Sequence, residues 1–466
     1  MLNKIHKDIF NDIDLHKIAH TKFIIDLKRL NPKLFKEPMN EIYNNLQIYG
    51  VDLTNAEINT ILNYIDKDID NDNRNLPTII KQFKNFKELL SQRFNEAHSE
   101  LCAPKDPRLK KWRERQIRRV KAHLGNEGKG LIHFTVSFEL TSGCSVGCPF
   151  CAISSKKLDN VFDYSERNVA LWKGVLNKCL EIIGGSAKYG VCYYGTEPFD
   201  NPNYEKFCSI YADILGHFPQ TTSAVPMRDV NRTRTMLTLS REKNNFFFMN
   251  RFSILSNTIR DRVFNEFTPE ELLFVGLLNR FDLQEEPKLI KAGRARSTQN
   301  QELISQNEGG TVSCLSGFLV NMAERTIRHI TPCNANEKWP TGQWEIDRES
   351  FTDADDFGDA IQRLIDKNIS DEAPRTKPLK FYPWLSYEEL TEKTNGFGLR
   401  SKASGLMTFK NMTALSEIGE KITEGCHTPR QIAAILNEQY GYNPAYVYNT
   451  IDFLFNHGVI DEEPQN

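Results

Sequence analysis

The sequence lacks any apolar run near the roughly 18 to 20 residues that a membrane-crossing helix needs; each apolar stretch of its 466 residues is cut by Lys, Asp, Glu or Asn. Its start, MLNKIHKDIFNDIDLH, places acids and a His where a secretory signal needs uninterrupted apolar residues, so a cytoplasmic protein with no membrane partner is expected. It has little net charge as well, -2 by formal count. With 59 Lys+Arg against 61 Asp+Glu, affinity for nucleic acid by charge alone is excluded. No internal repeat or long low-complexity segment is present. What remains is an ordinary globular composition, 39% hydrophobic and 26% charged, in a chain long enough for two or three domains.

Ten cysteines are present, and in a large chain without export they do not read as a disulfide framework. Three are clustered: Cys144, Cys148 and Cys151 follow the apolar run 131–140 with the spacing CxxxCxxC. Three thiolates on a tight loop can hold three irons of a 4Fe-4S cluster and leave the fourth open. Zinc is the alternative, but finger-type zinc sites pair CxxC with a second CxxC or HxxxH further along the chain, and neither follows this loop.

Four regions are expected: a helical one over 1–128, a βα region over 129–300, a hairpin and site-covering extension over 301–375, and a small helical module over 376–466. In the first, Ile18, Phe23, Ile24, Leu27 and Leu30 recur at helical steps. It ends in a basic stretch, 108–121, which reads as a solvated helix face or a strip for an acidic partner. From 131 to 296, strand and helix patterns alternate, which argues for parallel βα units with the site at the carboxyl ends of the strands. Strands are expected at 131–140, 189–194, 221–225, 251–255 and 274–278. Residues 317–322 and 326–330 read as a hairpin that brings Cys314 and Cys333 to one open end. Beyond a Pro-rich linker at 374–383, Thr428 to Gln431 forms a capping box and Asn443-Pro444 starts a further helix, which together suggest a winged helix-turn-helix. Its last helix, 444–457, has no Lys or Arg for phosphate or guanine, so nucleic acid is not an expected partner.

The cysteine loop resembles the signature of the radical S-adenosylmethionine enzymes. There the motif follows the first strand of a partial (β/α)6 barrel, an aromatic residue precedes the third cysteine as Phe150 does here, and a GGEP-like motif ends the second strand, as Gly195-Thr196-Glu197-Pro198 would. The resemblance implies an α/β fold of that kind, a 4Fe-4S cluster on Cys144, Cys148 and Cys151, and S-adenosylmethionine chelated to the open iron. Gly195 would let backbone approach the cofactor, Glu197 would meet its ammonium, and Ser253 and Ser256 would hold ribose or carboxylate. Reductive cleavage would release a 5′-deoxyadenosyl radical that abstracts hydrogen, with a flavodoxin or ferredoxin as electron donor.

Residues 19–30 (AHTKFIIDLKRL), 193–202 (YYGTEPFDNP), 316–322 (SGFLVNM) and 331–340 (TPCNANEKWP) are similar to the radical S-adenosylmethionine epimerases that install D-residues in ribosomally made peptides. That resemblance implies a precursor peptide with leader and core as substrate, Cα hydrogen abstraction, and return of hydrogen by a cysteine thiol. Cys333, in an irregular stretch expected to cover the site, is the favoured donor and Cys314 the second. No cysteine-rich C-terminal extension is present to hold auxiliary clusters, which suits a redox-neutral inversion. The C-terminal module would tether the leader and raise the effective concentration of core residues, the N-terminal helices being an equal candidate. The alternatives are another peptide modification, such as crosslinking or rearrangement, and a metal-stabilised winged-helix DNA-binding regulator.

Overall fold

A computed structural model describes residues 14–66, 76–96, 102–243, 249–281, 292–296, 310–390 and 395–464. The chain is mixed α/β with several sheets, none of which closes on itself among the described residues.

The N-terminal region is helical, as its periodicity predicts: α1 (Leu15–Leu30), α2 (Met39–Ile48), α3 (Asn55–Asp66) and α4 (Thr78–Glu96) precede α5 (Pro107–Leu124). The apolar stripe of α1 is buried through Ile18, Phe23, Ile24, Leu27 and Leu30. After α5 come β1 (Phe134–Glu139) and a two-residue pair, β2 (Thr141–Ser142) and β3 (Asn160–Val161), that closes the base of the cysteine loop. Then follow α6 (Glu166–Ile182), α7 (Tyr204–Leu215), β4 (Thr222–Ser223), α8 (Val230–Glu242), β5 (Asn250–Ile254), α9 (Asn257–Glu266), a short α10 (Pro269–Leu272) and β6 (Val275–Asn279). Strands β4, β5 and β6 form a parallel sheet in sequence order, as the alternation of strand and helix patterns requires.

The outer edge of β6 is closed by α1. Lys22 Nζ donates to the carbonyls of Leu272 (3.1 Å) and Val275 (2.7 Å), and Arg29 to that of Leu277 (2.6 Å). Cationic side chains here take up carbonyls that an exposed edge would offer to another strand. Phe23 packs edge-on against Phe264 at 5.0 Å, so α1 and the parallel sheet's helices share one core.

The second sheet is ordered β1, β7 (Leu315–Asn321), β8 (Thr326–Pro332), β9 (Gln343–Ser350), with β1 parallel to β7 and the rest antiparallel. The expected hairpin is present as β7 and β8. Helix α11 (Ala354–Asn368) packs on β9 and α6.

The expected strand at 189–194 does not form. Residues 184–189 make a 3-10 turn, and the chain then follows β1 through one backbone hydrogen bond, Phe138 N to Val191 O (2.7 Å), and one bridge between Glu139 and Tyr193. The approach is too close for a regular ladder: a Cβ on Gly190 would lie 2.1 Å from the Val136 carbonyl, and Ser137 Oγ takes the Val191 amide. The Tyr193 hydroxyl then reaches Gln220 (2.6 Å) and Thr222 (2.8 Å) beside β4, so this segment spans the gap between the two sheets.

The basic stretch 108–121 is only in part the solvated face expected, with Lys110, Lys111, Arg118 and Lys121 exposed. Asp106 caps α5 and Pro107 opens it, but Arg113, Arg115 and Arg119 are all buried. Arg113 donates to the carbonyls of Ile132 and His133, Arg115 binds Glu462 and lies over Phe455, and Arg119 donates to the Pro332 carbonyl while stacking on Trp344 at 3.7 Å. These partners are remote in sequence, which is why charge density alone misreads the helix. It joins the second sheet to the C-terminal region.

That region begins with three strands the sequence reading did not anticipate, β10 (Leu385–Glu389), β11 (Gly396–Ser401) and β12 (Gly405–Lys410), in an antiparallel meander, followed by α12 (Leu415–Glu424), α13 (Pro429–Tyr440) and α14 (Pro444–Asn456). The Thr428–Gln431 capping box forms, and Asn443 caps α14. Gly419 lets α12 lie flat on the sheet, since a Cβ there would meet Phe397 at 2.6 Å. The stretch 374–383 is packed rather than free: Leu379 and Tyr382 are buried, and Leu379 N donates to the His427 carbonyl. No helix of the described residues is long and apolar enough to cross a membrane.

Candidate functional site

The cysteine loop leaves the carboxyl end of β1 and is shaped by two glycines with left-handed backbone, Gly143 (φ +84°) and Gly147 (φ +64°). At Gly143 a Cβ would also collide with the Lys157 carbonyl at 2.4 Å. Within the loop, Cys144 N donates to Lys156 O (2.9 Å) and Cys151 N to Cys148 O (3.2 Å).

A clamp from far along the chain fixes it. Arg294 Nε donates to Cys148 O (3.1 Å), Arg294 NH1 to Ser155 O (2.7 Å), and the Arg294 amide to Cys151 O (3.0 Å). Gly293, with φ +54°, permits this approach, because a Cβ would lie 2.4 Å from the Ala152 carbonyl.

All three thiols are half-buried and free. Burial raises the Cys148 thiol to about 11, with Cys144 and Cys151 adding to the rise and Arg294 opposing it. Burial likewise raises Cys144, which also feels Asp200 and Glu197. Three thiols close enough to oppose each other's ionisation suit a cationic iron-sulfur core that would stabilise the thiolates. They are not a tetrahedral zinc set: the groups whose donor atoms all lie within 4.8 Å of one another, among the described residues, are His16–His20–Glu270 and Glu424–Cys426–His427.

Across from the loop stands the 195–198 segment. Gly195 N donates to Glu139 Oε1 (2.8 Å), and a Cβ on Gly195 would meet that oxygen at 2.8 Å and Ile153 at 3.1 Å, so the glycine is required by Glu139 and the loop wall. Ser155 ties the two segments, donating to the Gly195 carbonyl. Thr196 folds back on Tyr193 O, and Pro198 opens a buried 3-10 turn.

Glu197 is buried beside the loop. Its Oε1 accepts from Ser223 Oγ (2.7 Å) and Phe199 N (3.2 Å), and its Oε2 from Ala224 N (2.8 Å). Burial nevertheless pushes its carboxyl up to about 7, against the pull of those donors. A carboxylate has about four lone-pair sites, so three internal bonds leave room for one more donor. Phe150 is half-buried on the loop.

The two serines part company. Ser256 caps α9 by accepting from Ile259 N (3.2 Å), a structural use of its hydroxyl, whereas Ser253 is half-buried on the face of β5 opposite Phe252 and Ile254. That face also carries Arg251, exposed although β5 is the central strand, with the small residues Thr222 and Gly276 beside it in register. Arg251 favours the ionised forms of Tyr193 and Cys314, against the burial that raises both, so these groups share one space.

Cys314 is half-buried at the start of β7, where its carbonyl accepts from Phe134 N (2.8 Å). Because β1 and β7 are parallel, it lies at the opposite end of β1 from the cysteine loop, roughly 17 Å away along the strand. Neighbouring Ser313 accepts from the Tyr194 hydroxyl (2.5 Å). Cys333 ends β8 on the same side, but it is packed in the C-terminal core with Trp344 and Tyr382, where burial raises its thiol to about 12 against the field of Arg119.

Sequence reasoning did not single out Glu139, Asn321, Asp200, Arg228, Arg251 or Arg294. Asp200 binds Ser145 N (2.7 Å) and pairs with Arg228 (2.8 Å), bracing the loop from its other flank, and Asn321 Nδ2 donates to Glu139 Oε2 (3.1 Å). Asp200 and Asn321 do fall within the stretches 193–202 and 316–322; Arg294 has no local signal.

No protein-family model matches the chain. Among solved structures, BtrN in complex with AdoMet and 2-DOIA aligns with 41% of this chain and 71% of its own at 15% identity and a TM-score of 0.30, an overlap too slight to support a fold assignment. In sequence, the chain is 34% identical over 365 residues to the uncharacterized protein y4wI of Sinorhizobium fredii, covering 77% of this chain and 69% of that protein. The chain therefore belongs to the family of that rhizobial protein.

Proposed function

We propose that this protein is a radical S-adenosylmethionine enzyme that inverts L-residues of a ribosomal precursor peptide to D-residues, working in the cytoplasm with a flavodoxin or ferredoxin as reductant. The observation that carries the reading is the trio Cys144, Cys148 and Cys151, half-buried on a clamped loop at the carboxyl end of β1. A 4Fe-4S cluster with S-adenosylmethionine, when bound at this loop, supplies one-electron chemistry that removes a hydrogen atom from carbon.

The chain's own residues do the rest. Glu197 offers a remaining acceptor site to a cofactor ammonium, and Ser253 on β5 is the hydroxyl proposed for ribose or carboxylate. Segment 190–194 with β1 and β4–β6 walls the site as an incomplete barrel. Of the two candidate donors, Cys314 has the better surroundings: it lies beside Tyr193, Tyr194 and Arg251, whereas Cys333 is enclosed by Trp344 and Tyr382. In the step proposed, the Cα–H hydrogen leaves on one face and the Cys314 S–H hydrogen returns on the other. The sulfur radical left behind takes one electron from the reductant and one proton from solvent, which restores the thiol. The C-terminal unit, read as winged-helix-like, tethers the leader; β12 is an edge strand among the described residues, open to an added strand.

Anoxic reconstitution with iron and sulfide followed by S-adenosylmethionine and dithionite tests the cofactor reading: a brown chromophore and 5′-deoxyadenosine support it, and their absence ends it. Co-expression with candidate precursor peptides in heavy water tests the reaction. Inversion adds one deuteron per D-residue, whereas a mass loss of two hydrogens would mean crosslinking. Cys314→Ala should keep cofactor cleavage and lose inversion; D-residues at the normal rate would remove Cys314 as donor.

A further inference from the structure

Outside the cysteine loop, the chain brings two histidines and a carboxylate to one point. His16 and His20 are four residues apart on α1 and share a face, with ring centroids 4.4 Å apart. Glu270 of α10 faces both: its Oε1 lies 2.9 Å from His16 Nδ1 and 3.0 Å from His20 Nε2, and the three donor atoms all lie within 4.8 Å of one another. Around zinc, with bonds of 2.0 to 2.1 Å, tetrahedral donors stand roughly 3.3 Å apart, so each nitrogen–oxygen pair needs to spread by only a few tenths of an ångström, while the two nitrogens already lie within 4.8 Å of each other.

We propose that His16, His20 and Glu270 form a site for a divalent cation of the zinc class, separate from the cysteine loop and independent of the function proposed above. The donor set is N,N,O, which suits zinc and its neighbours among the late first-row metals. His16 already has the outer partner that metal-bound histidines use: while Nδ1 faces the site, Nε2 lies 3.4 Å from Asp52 Oδ2, an arrangement that fixes the ring and strengthens the ligand. His20 is nearly fully buried, so its ring is held in place before any ion arrives.

Protons hold the site in the metal-free chain. Asp52 N donates to His20 Nδ1 (3.2 Å), which puts the ring proton on Nε2, facing Glu270. Loading moves that proton to Nδ1 and releases the Asp52 amide, whose exposed loop and carboxylate are free to follow. Binding thus costs a tautomer shift at His20 rather than a proton released from that ring. The ion would pin α1 to the turn before β6, next to the edge that Lys22 and Arg29 cover.

The test uses the full-length chain with Cys144, Cys148, Cys151 and Cys426 replaced by Ala, which removes the other places where sulfur would take the metal. Titration with Co2+ should give one equivalent with visible d–d bands and no thiolate charge-transfer band, and Zn2+ should displace it and raise the melting temperature. His16→Ala, at a half-exposed position, should abolish both signals, and Glu270→Gln should do the same if that variant fails to fold. Asp52→Asn should weaken cobalt binding by roughly 10- to 100-fold. The proposal falls if the chain takes up no cobalt, or if uptake is unchanged in a folded His16→Ala or Glu270→Gln variant.

Discussion

The cysteine loop and helix α5 are both polar, and they meet opposite fates. The loop keeps Cys144, Cys148 and Cys151 half-buried and free, and its hydrogen bonds run mostly between its own backbone atoms and Arg294. Helix α5 carries a denser run of charge, yet sinks Arg113, Arg115 and Arg119 out of solvent against carbonyls, a carboxylate and aromatic faces. The difference lies in where the partners come from. A ligand loop needs neighbours a few residues away, so its spacing in sequence is its geometry. A buried cation needs partners supplied by other parts of the fold, and charge density says nothing about whether they exist.

The comparison breaks first at Arg119. Its guanidinium stacks on Trp344 and satisfies the Pro332 carbonyl and Thr331 hydroxyl. Arg119→Ala would leave a cavity and unsatisfied buried acceptors and should cost about 3–4 kcal/mol. On the same helix Arg108 is substantially exposed and pairs with Asp366 at 2.8 Å, so Arg108→Ala should cost less than about 1 kcal/mol. Urea unfolding of the two variants checks this; equal midpoints would mean that α5 is not the buried joint described above.

A second effect comes from what α5 packs on. His329 of β8 is fully buried between Trp112 of α5 (4.5 Å) and Phe318 (5.2 Å), and burial holds its pKa near 3 rather than 6.5. The folded chain keeps the imidazole neutral while the unfolded chain protonates it below about pH 6.5. This contribution is therefore complete above pH 6.5 and is lost as pH falls toward 3, at about 1.4 kcal/mol per pH unit. His329→Leu should flatten the fall in unfolding midpoint between pH 7 and pH 5. An unchanged slope would show that other groups carry it.

These two sites also mark the limit of what could be read from the chain. The helical stripe of α1, the hairpin, the Thr428 capping box and the parallel βα alternation were legible because each is written within a few residues as period, cap or turn. The cysteine spacing was legible for the same reason. Segment 189–194 was misread as a strand because Gly190 packs so close to Val136 that a regular ladder cannot form, a constraint set by a distant strand. Strands β10 to β12 were missed beside the stronger helix signals that follow them. Arg294 could not be found at all, since its place over Cys148 depends on how residues 292–296 return to the loop.

The smallest effect on stability should come from the loop itself, and it sharpens the contrast most. Cys148 is half-buried, and Arg294 grips its carbonyl rather than its thiol. Cys148→Ala keeps the clamp, the Gly147 turn and the Cys151 N to Cys148 O bond, all of which are backbone features. The apoprotein's unfolding midpoint should therefore move by less than about 1 kcal/mol. The same substitution should remove the iron chromophore after anoxic reconstitution, because two thiolates cannot hold the cluster that three are proposed to hold. A thiol whose loss is silent in the apoprotein and decisive for iron is a ligand. If instead Cys148→Ala unfolds the chain as readily as Arg119→Ala does, the loop is core, and its resemblance to a cluster loop has misled.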